Sequence, residues 1–276
     1  MIKRVAIIGE KSFIGTNLFE HFKKRKIKVS ILNYNYFFKK KIYNKNFSYI
    51  INCSSNKNFV KRKYSKKFDH DLNIANKIKK LPTKLVLLSS RKIYEPKFNI
   101  KEDDKKKPKC NYSKNKLTSE NKVKLILKNK VLILRISNMI GYPKKNTRKL
   151  HDTFIDIFLK NINKDIIYKN SRVYKDFISV KKFSEIILKL IKLNSVGIYN
   201  VSLGKKVYLD KLIYWLNKYN KRKITILKLK KSFNTDSFTL NNHKLMKKIK
   251  TKNNISELKY ECLKLSKLFF KYKNLN

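Results

Sequence analysis

The sequence predicts an α/β fold in which a doubly wound parallel sheet is followed by a smaller C-terminal lobe. Three observations carry this. Short β-rich apolar runs alternate with longer stretches whose apolar residues recur at helical spacing. The runs are nearly continuous rather than alternating, as expected of strands buried on both faces. After about residue 138 the alternation loosens, which divides the chain into 1–138 and a smaller lobe, 139–276, partly interleaved with the first.

The elements follow in order. "RVAIIG" (4–9) reads as the first buried strand, and residues 14–25 as a helix with Leu18, Phe19 and Phe22 at helical spacing. "KVSILN" (28–33) is the second strand and "SYIINCSS" (48–55) the third, followed by a helix at 71–80. "KLVLLSS" (84–90) is the fourth, then a helix over 112–127 and a fifth run, "VLILRIS" (131–137). Beyond 138 the reading is a helix near 149–161, "DFISV" (176–180), a helix over 181–193, "GIYNVSLG" (197–204), a helix over 208–219 and a strand at "KITILKL" (223–229). The tail from about 256 is helical and basic, and Leu258, Leu263, Leu265, Leu268 and Phe269 read as its core-facing stripe.

Apolar residues make up 42% of the 276, enough for a sizeable core. The formal net charge of +52 raises nucleic-acid or membrane-surface binding. Against it, the cations are 62 Lys and only 8 Arg, spread along the chain, whereas phosphate recognition favours the two-pronged guanidinium. Residues with GC-rich codons are scarce throughout, with 2 Ala, 5 Gly and 4 Pro, so the charge reads as gene composition and nucleic acid is not the expected partner. Cys53, Cys110 and Cys262 and the four histidines are scattered, which predicts no metal site and no disulfide framework. No apolar run approaches the roughly 18 residues that span a bilayer. A cytoplasmic protein without a transmembrane segment is expected.

Two of the five glycines lie six residues apart, directly after the first strand, as Gly9-x-x-Ser12-x-x-Gly15. A dinucleotide-binding fold needs a tight turn here, so that the pyrophosphate rests on the N–H groups and positive dipole of the following helix. Gly9, Ser12, Phe13, Ile14 and Gly15 are therefore candidate cofactor contacts, with serine in place of the middle glycine. At the end of the second strand, Asn33 stands where an acid would hold the adenosine ribose. Asparagine does not repel a 2′-phosphate, so the cofactor is NAD or NADP, with comparable or better affinity for NADPH expected.

Tyr112 and Lys116 are four residues apart and share one helical face. A tyrosine titrates near pH 10, and a neighbouring ammonium favours its phenolate. A serine at a nearby strand end can hydrogen-bond the same substrate oxygen. With 16 Tyr and this many Lys, the pair alone is a chance pattern; its position in the chain gives it meaning.

Seven segments in order resemble the extended short-chain dehydrogenase/reductases, specifically the NAD-dependent epimerase/dehydratase group acting on nucleotide sugars. "GEKSFIGTNL" is similar to its G-x-x-G-F-I-G-x-x-L loop, "IINCSS" to V-I-H-L-A-A, "LLSSRKIYEP" to S-S-x-x-V-Y-G and "NYSKNKLTSE" to Y-x-x-S-K-x-x-x-E. "LRISNMIGYP" is similar to L-R-x-x-N-x-Y-G-P, "YKDFISVKKF" to R-D-F-I-x-V-x-D and "GIYNVSLGKKVYL" to G-x-Y-N-V-G-x-G-x-x-x-S-L. All five glycines fall in these segments.

The resemblance implies a Rossmann-type sheet with a substrate lobe and an NAD(P)-dependent reductase or epimerase of a nucleotide-linked sugar. It implies Tyr112 as acid/base, Lys116 as the residue that orients the nicotinamide ribose, and Ser90 as the hydroxyl holding the reacting oxygen. Cys53 and Ser54 fall at the cofactor-side strand end, Asn138 would contact substrate, and Lys175 would replace the family arginine at the sugar-nucleotide diphosphate. A homodimer is compatible with it. The dehydratases carry Asp-Glu after the catalytic hydroxyl, where this chain has Arg91 and Lys92, which argues against 4,6-dehydration. Lys182 replaces the second acid of the R-D-F segment, and the stretch between the second and third runs is too short for the usual adenine-contacting loop. The alternative is a non-catalytic dinucleotide- or RNA-binding protein on the same fold, motivated by the charge and Ser12 and opposed by the retained Ser90, Tyr112 and Lys116.

Overall fold

Five of the apolar runs become strands of one parallel sheet: β1 (Val5–Ile8), β2 (Val29–Leu32), β3 (Tyr49–Asn52), β4 (Lys84–Ser90) and β5 (Val131–Ile136). The computed structural model describes residues 4–142, 156–158, 161, 166–169, 173–221, 225–228 and 236–273, so most of the helix expected at 149–161 lies outside the described residues. Later strands are β6 (Asn138–Ile140), β7 (Ile166–Lys169), β8 (Tyr174–Lys175), β9 (Phe177–Ser179), β10 (Gly197–Val201), β11 (Val207–Tyr208) and β12 (Thr225–Lys228). The helices are α1 (Phe13–Lys24), α2 (Tyr34–Lys39), α3 (Lys57–Lys61), α4 (His70–Ile78), α5 (Asn111–Leu127), α6 (Val180–Lys192), α7 (Leu209–Leu216), α8 (His243–Ile249) and α9 (Ile255–Lys273).

The sheet order is β10-β5-β4-β3-β1-β2, parallel throughout. β10 comes from the second half of the chain and forms one edge, so that half contributes to both layers. Strand side chains alternate between two cores. Val5, Ile7, Tyr49, Ile51, Val86, Leu88, Leu132 and Leu134 face α1, α6 and α8. Ala6, Ile8, Ile50, Leu85, Leu87, Val131 and Ile133 face α2, α4 and α5. This is why the runs look continuous in sequence: neither face meets water.

A third core joins Ile140, Phe177, Val207, Leu212, Trp215 and Leu216 to the C-terminal helix. Leu258 and Leu265 of the expected stripe are buried there, but Leu263, Leu268 and Phe269 are only half-buried, and Cys262 and Phe270 take core positions instead. Positions 258, 262 and 265 are spaced i, i+4, i+7 and so form one line along the helix. Among the described residues, no helix is long and apolar enough to cross a membrane.

A buried polar network ties the layers together. Arg135 on β5 donates to both carboxylate oxygens of Glu120 on α5, through Nε at 3.2 Å and Nη2 at 2.8 Å. Its Nη1 donates to the Tyr94 hydroxyl and the Glu102 carbonyl, each at 2.6 Å. The Tyr94 hydroxyl in turn donates to Asn200 Oδ1 on β10 at 3.1 Å. Burial works against the Arg135 charge, but Glu120 outweighs it and holds the guanidinium above its ordinary value. Removing one partner leaves an uncompensated buried charge, so Glu120→Ala should lower stability by about 3–5 kcal/mol, read from urea unfolding. A loss under about 1 kcal/mol would show that the network is incidental.

Asp176, between β8 and β9, is fully buried. Its carboxyl accepts from Gly204 N at 3.1 Å and Leu240 N at 2.9 Å, pinning two later segments. Burial pushes its pKa up to about 7, although these N–H groups pull the other way. A carboxyl raised in the folded state binds a proton there that the unfolded chain has released. Its contribution to stability is therefore complete below about pH 4 and is lost as pH rises to about 7. Urea unfolding across that window should give a steeper fall for wild type than for Asp176→Asn; equal slopes would contradict the raised value.

Candidate active site

The chain leaves β1 toward β2 on one side and later returns to β3 on the other. Ligands of open α/β sheets bind at such a switch point, outside the carboxyl ends of the strands. Gly9 follows β1 there, with φ +117°, in the left-handed region. A Cβ on Gly9 would stand 2.9 Å from the Cys53 carbonyl carbon, and one on Gly15 only 2.5 Å from Gly9 O. The glycines thus let the loop, the start of α1 and the β3 exit approach one another as bare backbone, too closely for any side chain. Ser12 has ordinary extended angles, φ −80° and ψ 137°, so its position does not require glycine. It is the N-cap of α1, its Oγ accepting from Gly15 N at 3.3 Å. Phe13 and Ile14 open the helix, whose first-turn N–H groups point out of its end. The residues present fit a dinucleotide pyrophosphate.

Cys53 N donates to Ile8 O at 2.8 Å, which fixes the β3 exit against the loop. Burial pushes the Cys53 thiol up, Asp71 adding to the effect and Lys116 opposing it. Cys53 packs against the end of β1 at the glycine loop. Lys116 Nζ lies 3.4 Å from Asp71 Oδ2, and both side chains are buried. Asp71 Oδ1 accepts from Asn52 Nδ2 at 2.7 Å, and Asn52 Oδ1 accepts from Ser54 N and Oγ at 3.0 and 2.7 Å. Burial opposes the Lys116 charge, but Asp71, Tyr112 and Asp69 outweigh it and hold the ammonium above its ordinary value, while burial pushes the Asp71 carboxyl up. His70 stacks on Tyr34 at 3.5 Å, with Nδ1 2.9 Å from Ser54 Oγ. Burial, then Lys116, pushes His70 down to about 4, so it is neutral at pH 7.

Tyr112 lies in the first turn of α5, one turn before Lys116. The helix is seated by Ser119 Oγ on Asp69 Oδ1 at 2.9 Å and by Asn115 Nδ2 on Phe59 O at 2.7 Å. Ser90 ends β4, and its Oγ accepts from Lys92 N at 3.2 Å, which leaves the hydroxyl's own donor for another acceptor. Next to it, Arg91 Nη2 meets Asp236 Oδ1 at 3.2 Å, with the guanidinium 3.9 Å over the Phe238 ring. Lys175 Nζ donates to the other oxygen of Asp236. Burial opposes it, but Lys175 and Arg91 together hold the Asp236 carboxyl below its ordinary value. Asn138 Nδ2 donates to Asp176 O at 3.3 Å, beside Lys175. Asn33 caps α2 with Oδ1, accepting from Asn35 N at 2.9 Å, while its Nδ2 donates to Glu10 Oε1 at 3.3 Å.

Of the sequence-derived candidates, Cys53 lies against the glycine loop, Lys116 and, through Asn52, Ser54 are tied to Asp71, and Lys175 is tied to Asp236. Tyr112 lies one turn before Lys116, Ser90 precedes Arg91, and Asn138 holds the Asp176 carbonyl. Asn33 sits at the outer corner beyond the loop.

The family model described as "NAD dependent epimerase/dehydratase family" matches residues 5–202. The chain belongs to that family. No curated protein matches it in sequence. Among solved structures, this epimerase/dehydratase chain is similar to UDP-N-acetylglucosamine 4-epimerase from Methanobrevibacter ruminantium M1 in complex with UDP-N-acetylmuramic acid, with TM-score 0.79 and 18% identity, covering 98% of this chain and 99% of that one. It is similar to dTDP-glucose 4,6-dehydratase from Bacillus anthracis in complex with NAD, with TM-score 0.76 and 14% identity over 98% and 97% of the two chains. It is also similar to RMD from Pseudomonas aeruginosa complexed with NADPH, with TM-score 0.78 and 15% identity over 98% and 99%. At these identities the likeness shows the shared fold.

Sequence reasoning missed Asp71, Asn52, His70, Asp236 and Glu10. A signal was present for the acids: the chain has 18 Asp and Glu against 70 Lys and Arg, so each acid is a scarce partner. Their pairing with Lys116, Lys175 or Asn33 depends on separations of 45, 61 and 23 residues that no local pattern encodes.

The 2.5 Å approach gives a direct test. Gly15→Ala forces its Cβ against Gly9 O and shifts the loop. Calorimetry should show at least a tenfold loss of nicotinamide-dinucleotide affinity, about 1.4 kcal/mol, with an unchanged circular-dichroism spectrum. Undiminished binding would dissociate the loop from the cofactor.

Proposed function

We propose that this member of the epimerase/dehydratase family reduces a nucleotide-linked keto-sugar, or epimerises a sugar through a keto intermediate, using NAD or NADP. The observation that carries the reading is the position of Cys53. Its N–H donates to Ile8 O beside the glycine loop, and the residue before it, Asn52, donates to Asp71, which faces Lys116 Nζ at 3.4 Å; this run of contacts supports reading the loop and the Tyr112–Lys116 pair as parts of one crevice.

In the reductive direction the Tyr112 hydroxyl gives its proton to the sugar oxygen as the carbon gains hydride; in the oxidative direction it takes that proton back. A nicotinamide dinucleotide, held by the Gly9–Gly15 loop and Lys116, would supply or accept the hydride. Ser90 donates its hydroxyl proton in a hydrogen bond to the same oxygen. An ammonium has three donors, so Lys116 can keep its contact with Asp71 and still reach a ribose hydroxyl. Lys175 faces the substrate diphosphate as a point charge, and Asn138 contacts the sugar. What supports reduction or epimerisation over 4,6-dehydration is the Arg91–Lys92 pair that follows Ser90 in the sequence, where the dehydratases carry Asp-Glu.

General acid–base catalysis of this kind contributes about 10²- to 10⁴-fold. With a substrate found by screening nucleotide sugars against NADH and NADPH, Tyr112→Phe should lower kcat by that factor and leave dinucleotide affinity unchanged within about threefold. Turnover close to wild type would refute the assignment. RNA bound tightly in moderate salt, with no sugar nucleotide turned over, would replace it with the binding-protein reading.

A further inference from the structure

We infer that Glu10, not a residue of the second strand, is the acid that reads the adenosine ribose, and that it makes the protein select NAD over NADP. This rests on dinucleotide binding at the Gly9–Gly15 loop. The register pairs Ile8 with Leu32, and Gly9 N donates to Leu32 O at 2.8 Å, so the residues that follow the two strands leave side by side. The end of the second strand is where a dinucleotide fold places a carboxylate on the ribose 2′-hydroxyl. Asn33 occupies that place and is poorly suited to the task. Its Oδ1 is committed to capping α2, accepting from Asn35 N and from Tyr36 N at 2.9 and 3.4 Å. What remains is its amide NH₂, and that group holds Glu10 Oε1 at 3.3 Å.

The corner therefore contains a carboxylate after all, supplied from the first residue beyond Gly9 and oriented by Asn33. Glu10 is exposed, so the rest of its carboxylate is open to a hydroxyl donor from solvent or ligand. A carboxylate accepts from a ribose hydroxyl and repels a 2′-phosphate, which carries close to two negative charges at neutral pH. The expectation drawn from Asn33 alone, of comparable or better binding of NADPH, is reversed. Lys11, the next residue, is the exposed cation that would have to prevail for NADPH to be preferred.

The test is the dissociation constants of NADH and NADPH for the full chain, from nicotinamide fluorescence, in wild type and Glu10→Gln. Wild type should bind NADH at least tenfold more tightly. Glu10→Gln should narrow that ratio to about threefold or less, chiefly by improving NADPH, with an unchanged circular-dichroism spectrum. Raising the salt to about 0.5 M should narrow the wild-type ratio, because the repulsion is screened. Equal or tighter binding of NADPH by wild type, or a ratio that Glu10→Gln leaves unchanged, would overturn the role of Glu10 while keeping the dinucleotide site. Binding of neither cofactor to the folded chain would overturn both.

Discussion

The buried pair between Arg135 and Glu120 is the constraint on which the candidate site depends. Glu120 lies one turn after Lys116 on α5, and Arg135 lies on the strand next to β4. Through Tyr94, the same guanidinium reaches the segment that follows Ser90, and through Asn200 it reaches the edge strand β10. One planar cation with five donors in a fixed fork thus sets the spacing between the helix that carries Tyr112 and the strand end that carries Ser90. A lysine could not do so, because a single ammonium cannot hold a carboxylate, a phenol and a carbonyl in one plane. In a chain with only 8 Arg among its 70 cations, an arginine at this point has a structural reason.

The same logic runs through the acids. Asp71 faces Lys116, Asp236 bridges Arg91 and Lys175, Asp176 pins Gly204 and Leu240, and Asp69 caps α4 while accepting from Ser119 and Tyr64. Four of the 18 acids therefore each hold a specific set of partners within the fold. Most described lysines are exposed or half-exposed to water, whereas Asp71 and Asp236 hold Lys116, Arg91 and Lys175 in place. A large net charge is compatible with a specific site because screening beyond about 8 Å separates the two scales.

At the glycine loop, chemistry and geometry separate in a useful way. Gly9 and Gly15 are required by space: backbone atoms lie within 3 Å of where a Cβ would be. The middle position is not so required, and Ser12 there exchanges conformational freedom for a cap on α1. A departure from the family pattern is therefore consistent with an intact tight turn, because the pattern's three glycines do not share one physical reason.

The sequence by itself determined the layered α/β fold, the parallel sheet and the boundaries of most of its elements to within two or three residues. These follow from local quantities: apolar continuity for strands buried twice, helical spacing for α1, α5 and α6, and the scarcity of glycine that made Gly9 and Gly15 stand out. It also offered Ser90, Tyr112 and Lys116 as candidates, through the ordered resemblance of seven short segments to the family rather than through any one spacing. Only the tertiary structure decided that Gly197–Val201 forms an edge of the main sheet, that Cys262 and Phe270 rather than Leu263 and Leu268 fill the C-terminal core, and that Asp71, Asp236 and Glu10 stand beside the candidate residues. Those outcomes depend on which strand pairs with which, and on what lies across the crevice. Electrostatic partners are chosen by distance in space, and a chain this rich in lysine offers each carboxylate many partners until folding selects one.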